Sequence, residues 1–158
     1  MSLSIRPIRP DERARFLQRV IETTWNDLPP FQRAQLTPAQ LAPNVERIVE
    51  LLMAQGDNVI LVADTEAHHN AGQVWLGEAP DPYTGTRRGY VYDLYVEEAA
   101  RGQGIGRALL LAADEASRKR GDTELGLTVS ARNESAQALY RSLGFETERL
   151  NLSKRLES

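Results

Sequence analysis

The sequence predicts a mixed α/β fold, a central, mostly antiparallel sheet with helices on both faces, in the order βααβββαβαββ. Three observations lead to it. Apolar runs at 58–63 and 71–76 lie close enough in the chain to pair as a hairpin. The strongest strand signal, Tyr90-Val91-Tyr92-Asp93-Leu94-Tyr95-Val96, is followed by a glycine-rich loop and an amphipathic segment rather than by another hairpin. Segments of helical period interrupt the strands throughout, so helices must cover both faces of the sheet.

Each element has its own local cause. Leu3-Ser4-Ile5-Arg6-Pro7-Ile8 alternates apolar and polar residues, as a short strand does. From Pro10 onward, Phe16, Leu17, Val20, Ile21 and Trp25 fall at helical spacing. Leu28-Pro29-Pro30 ends that helix, because proline removes a donor and restricts its predecessor. A second helix starts behind Thr37, where Pro38 suits the first turn and Gln40 completes a capping box. Leu41, Val45, Ile48, Leu51 and Leu52 form its apolar stripe. Residues 58–63 read as a buried strand, with 71–76 its partner across a turn at 66–70 that includes His68 and His69. A loop over 79–88, rich in Pro, Gly and Asp, leads into the strand at 90–96. A helix over 104–120 and a strand over 123–129 come next. Asn133 caps a last helix running to Leu143, Gly144 stops it, and Phe145 opens a terminal hairpin.

Composition narrows the function classes. The 158 residues carry no internal repeat, low-complexity tract or linker, so one domain over 1–158 is expected. Hydrophobic residues at 41% and charged residues at 26% are enough for a packed core. A net charge of −3 argues against general nucleic-acid binding, which needs a basic face. The absence of cysteine removes disulfides, thiolate zinc sites and cysteine nucleophiles, and fits a reducing compartment. No cluster has metal-ligand spacing, so no metal is expected. The N-terminus has no signal-peptide core and no stretch reaches bilayer-spanning length. The expectation is a cytoplasmic protein without membrane contact.

Arg101-Gly102-Gln103-Gly104-Ile105-Gly106 lies between the strongest strand and a helix. Glycines there let the backbone approach a ligand, and a helix start offers unpaired N–H groups and partial positive charge to an anion. The loop is not a P-loop, since Arg107-Ala108 stands where Lys-Ser/Thr would be required. Nor is it a dinucleotide fingerprint, which needs glycine at the position of Arg107. Leu94-Tyr95-Val96 followed by Arg101-x-x-Gly104-x-Gly106 resembles motif A of the GCN5-related N-acetyltransferases, the GNAT family. Asn133-x-x-Ala136-x-x-Leu139-Tyr140-x-x-x-Gly144-Phe145 resembles its motif B. The resemblance covers roughly residues 90–156; residues 1–60 match only in their strand–helix–helix order.

The resemblance implies acetyl-coenzyme A as co-substrate and a primary amine of a small molecule or peptide as acceptor. It implies that Leu94, Tyr95 and Val96 border the pantetheine arm. Arg101, Gly102, Gln103, Gly104, Ile105, Gly106 and Arg107 would cradle the pyrophosphate, and Asn133 would bond the coenzyme arm. Tyr140 would face the sulfur and protonate it. Asp93, the only acidic residue inside the central strand, has two readings: a base for the amine, or a structural acceptor within the sheet. Trp25, Asp27, Leu28 and Phe31 are candidates for shaping the acceptor pocket. A coenzyme A-binding regulatory module without transfer activity, and an interaction domain without a cofactor, remain as alternatives. A homodimer is left open.

Overall fold

A computed structural model describes residues 2–157. Among them five strands form one sheet in sequential order: β1 Leu3–Pro7, β2 Val59–Thr65, β3 Gly72–Glu78, β4 Arg88–Val96 and β5 Glu124–Leu127. β1 to β4 are antiparallel neighbours, whereas β5 lies parallel to β4 because a crossover helix separates them. The helices are α1 Arg13–Asp27, α2 Pro30–Arg33, α3 Pro38–Met53, α4 Ile105–Lys119 and α5 Glu134–Ser142. None of them is long and apolar enough to cross a membrane.

Strand alternation divides the core in two. Ala63, Val74 and Val91 face α4, where Ile105, Leu109, Leu110 and Ala113 close one layer, with Leu139 and Tyr140 of α5 against it. Ile60 and Trp75 face the other way, onto Phe16 and Val20 of α1 and Leu41 and Val45 of α3. The Phe16 and Trp75 rings meet edge to face at 5.5 Å. Thr37 caps α3 as its sequence implies: its Oγ1 accepts from the Gln40 N–H, and its own N–H donates to Gln40 Oε1.

Two irregularities in β4 set the shape of the sheet beside α1 and β5. Trp75 pairs with Asp93 but Leu76 pairs with Val91, so Tyr92 is an extra residue in the ladder. This bulge turns two consecutive side chains toward the α1 layer. Tyr92 packs on Trp75 at 4.9 Å, and Asp93 is bonded by Gln73, whose amide also donates to the Phe16 carbonyl of α1. In addition, β4 pairs with β5 only over residues 88–91, from Arg88↔Glu124 to Val91↔Leu127. Beyond Val91 the strands part, and the β4 edge over residues 92–96 has no β5 partner.

The expected terminal hairpin is not formed. Residues 145–157 contain no strand, and residues 146–157 join no backbone hydrogen bond among the described residues. Leu150, Leu152 and Leu156 are 79–87% exposed, so the segment buries too little apolar surface to offset the entropy of ordering a ladder. It is held by side chains instead, such as Arg88 on Glu148 and the Arg155 guanidinium over the Phe31 ring. The short α2 is a further departure from the expected order; Pro29 and Pro30, read as a break, also start this single turn.

Candidate active site

The parting of β4 from β5 opens a cleft of about 580 Å³, walled by the end of α1, the start of α4, residues 127–129 and α5. At one end lies the glycine loop. Gly102 and Gly104 have φ of 78° and 82°, the left-handed region that side chains rarely adopt, and Gly104 caps α4. A Cβ at either would meet no atom within 4 Å, so these positions need glycine for conformation and leave open space above the helix start. The Arg101 Nε donates to the Val96 carbonyl at 3.0 Å, folding the side chain over the end of β4. Arg107 Nη1 reaches Ser142 Oγ at 3.3 Å and ties α4 to α5.

Leu94, Tyr95, Val96, Arg101, Gly102, Gly104, Ile105, Gly106, Arg107, Asn133 and Tyr140 all line this cleft, as does Asp93. Gln103 is exposed and outside the lining. The Tyr95 side chain turns to α1, with its hydroxyl donating to Glu22 and its ring under the Arg19 guanidinium. Asn133 Oδ1 is occupied as the cap of α5, accepting from the Ala136 N–H at 3.1 Å. His68 and His69 sit at the exposed β2–β3 turn, away from the cleft.

The opposite end is acidic. Asp93 is 3% exposed, and its Oδ2 accepts from Gln73 Nε2 at 2.8 Å, while Oδ1 has no partner within the protein. The neighbouring Thr23 hydroxyl is buried too and closes no hydrogen bond. Burial pushes the Asp93 carboxyl up to about 6, against the Gln73 donor, the nearby Thr23 hydroxyl and the Arg19 charge. Tyr140, on the same face of α5 as the cleft-lining Ala136, stacks edge-on against Phe145 at 5.8 Å. Burial pushes its phenol up to about 12, and the charges of Asp27 and Asp93 add to that. At neutral pH, therefore, Asp93 is mostly a carboxylate and Tyr140 a protonated donor.

Of the four residues considered for the acceptor pocket, only Asp27 lines the cleft, together with Thr23 and Asn26. Trp25 and Leu28 pack into the α1–α3 layer instead, and Phe31 is exposed beneath Arg155. The signal for Thr23 and Asp27 was present in α1. Its apolar stripe at Phe16 and Val20 continues at the same spacing as Thr23 and Asp27, turning polar where the core stripe should persist.

The model of the acetyltransferase (GNAT) family matches residues 18–145. The uncharacterized N-acetyltransferase YdgE of Bacillus subtilis is 24% identical over 139 residues, 88% of this chain and 83% of that protein. A mycothiol acetyltransferase of Saccharomonospora viridis is 43% identical over 68 residues, which span 43% of this chain and only 22% of that protein. Among solved structures, a protein of Pyrococcus furiosus assigned provisionally to the acetyl transferases superposes with a TM-score of 0.79. It is 27% identical, over 98% of this chain and all of that one.

Proposed function

The chain belongs to the acetyltransferase (GNAT) family, and we propose that it transfers the acetyl group of acetyl-coenzyme A to a primary amine by direct attack. One juxtaposition supports this most strongly. A glycine-lined helix start, an unpaired strand edge, a buried carboxylate and a half-buried phenol border one cleft.

The residues suit the coenzyme. Residues 104–107 would meet pyrophosphate oxygens with their N–H groups, and Arg101 and Arg107 would add positive charge. The free edge of β4 over residues 92–96 would accept the amide-bearing arm as a strand accepts a neighbour. Bound there, acetyl-coenzyme A supplies a thioester carbonyl activated for attack.

The chain's own groups would then manage protons. An aliphatic ammonium has a pKa of about 10.4 and must lose one proton before its nitrogen attacks. The free Oδ1 of Asp93 would take it. As the nitrogen–carbon bond forms and the carbon–sulfur bond breaks, Tyr140 would donate toward the departing sulfur, and the second proton leaving nitrogen would restore the phenol through water. Asp93 returns its proton to solvent, so amide, free thiol and one proton leave. Holding both reactants in one cleft lowers the entropic barrier without a covalent enzyme intermediate.

The test pairs coenzyme binding with transfer. Coenzyme A at a hundred times its dissociation constant should stabilise the native state by about 2.7 kcal/mol, seen as a rise in Tm. Gly104→Val should abolish that rise, because the left-handed cap is lost. Acetyl transfer to a panel of primary amines should accompany binding. Binding without transfer to any amine would return the chain to a coenzyme A-binding module.

A further inference from the structure

The cleft is electrically divided. Arg101, Arg107 and the α4 start border one end, and Asp27 and Asp93 border the other. One carboxylate suffices for the proton of the reacting amine, yet two are present. The Asp27 side chain makes no hydrogen bond or close ion pair among the described residues. Its neighbour Arg132 acts on it through charge alone, because its Nη2 donates to the Leu28 carbonyl at 2.7 Å, and Arg33 Nε donates to the same oxygen.

Asp27 also has no role in stabilising its own helix. It is the last residue of α1, where the backbone dipole is negative and disfavours a carboxylate. The same dipole favours a cation. Beside it, Asp93 Oδ1 and Thr23 Oγ1 are buried polar atoms that close no well-formed hydrogen bond, although the Thr23 hydroxyl lies near enough to Asp93 to favour its charged form. These line the cleft and mark its acidic end as built to receive donors.

Building on the amine-acetylating activity proposed above, we propose that the acceptor carries a second cationic group, and that Asp27 binds it while Asp93 takes the proton of the reacting nitrogen. The reacting nitrogen must be neutral to attack, so a monoamine leaves Asp27 with no hydrogen-bonded cation at that moment, only the Arg132 charge nearby. A diamine keeps one ammonium throughout, and Asp27 is placed to pair with it. Asp27 is thus a specificity determinant, choosing among amines by their remaining charge.

Calorimetry on the coenzyme A-saturated protein tests this without requiring turnover. The ligands are 1,3-diaminopropane, 1,4-diaminobutane and spermidine, against propylamine and butylamine. At least one diamine should bind tenfold or more tighter than the monoamine of equal chain length. In Asp27→Asn that preference should fall below threefold, while the coenzyme-induced rise in Tm is unchanged. Equal affinities in the native protein, a preference that survives Asp27→Asn, or no diamine binding at all would each overturn the proposal. A preference lost in Asp27→Asn, in a protein that transfers no acetyl group, would support Asp27's role and count against the proposed reaction instead.

Discussion

Asp93 and Tyr140 enter the cleft from β4 and α5, and burial raises both, which strengthens Asp93 as a base and keeps Tyr140 protonated but makes it a weaker acid. A carboxyl raised to about 6 is a stronger base than an exposed one, yet still ionised at neutral pH. Turnover should therefore rise as pH increases through about 6 and lose this limb in Asp93→Asn, with kcat reduced by roughly 10²-fold or more. Gln73 is a positioning residue for this carboxylate. Its amide fixes Oδ2 and lowers the pKa, so Gln73→Leu should move the acid limb to higher pH while coenzyme affinity is kept. An acid limb that stays in place in both variants would leave Asp93 as a structural acceptor in the sheet. Asp93 also bears on stability with the opposite sign from a paired carboxylate. Its folded pKa lies above the unfolded value, so its penalty on the native state grows as pH rises from the unfolded value of 3.8 to about 6 and is complete above that, and Asp93→Asn should gain Tm at pH 8. For Tyr140, a phenol at about 12 is a weak acid beside a thiol of about 8.5, so it helps most while charge is still developing on sulfur. Tyr140→Phe keeps the ring against Phe145 and should lower turnover about 10²-fold with little change in Tm. Unchanged turnover on an established acceptor would assign that proton to solvent.

At the level of elements, what was legible in the sequence is what local chemistry decides. Thr37, Pro38 and Gln40 announced the start of α3, and the capping box is there with both bonds made. Thr37→Ala should cost about 1 kcal/mol in urea unfolding with no change in m, since only the cap is lost. Asn133 and Gly144 bracketed α5 for the same reason, and the glycine loop was readable because a positive φ demands glycine at Gly102 and Gly104. What stayed hidden depends on partners distant in sequence. The bulge at Tyr92 exists only in the pairing of β4 with β3, so nothing in the run Tyr90-Val91-Tyr92-Asp93 reveals that Tyr92 and Asp93 share a side. The parting of β4 from β5, which makes the cleft, is likewise a property of two strands. The terminal hairpin failed in the reverse sense. Leu150 and Leu152 alternate like a strand, but alternation yields a strand only where a sheet edge and a core receive it, and here both leucines are exposed.

Across the whole molecule, one polar chain connects the surface to the acidic end of the cleft. Arg6 of β1 binds Glu12 at 2.7 Å and Asp64 of β2 at 2.6 Å. Asn70, held at a positive φ of 52° in the β2–β3 turn, donates to Glu12 and to Asp64 and accepts from Arg19. Arg19, 3% exposed, pairs with Glu97 after β4 and contacts Gln73, whose amide holds Asp93. Such a chain locks β1, the β2–β3 turn, α1 and β4 into one arrangement, because removing any member leaves its buried neighbours unsatisfied. Its outer end is the acid-sensitive one. Hydrogen bonds from Arg6 hold both Glu12 and Asp64 down to about 2, below their ordinary 4.5 and 3.8. For carboxylates depressed in the folded state, the stabilisation is fully present above the unfolded pKa and is lost as pH falls through the folded one. Stability should therefore decline between pH of about 4.5 and about 2. Arg6→Met keeps the side chain's bulk but removes the clamp, so the variant should be less stable at pH 7 and its stability should depend less steeply on pH across that window. Urea unfolding at pH 7, 4 and 3 measures both slopes. Parallel slopes for the two proteins would mean that the acid sensitivity arises elsewhere, and that Arg6 serves only to pack β1 against β2.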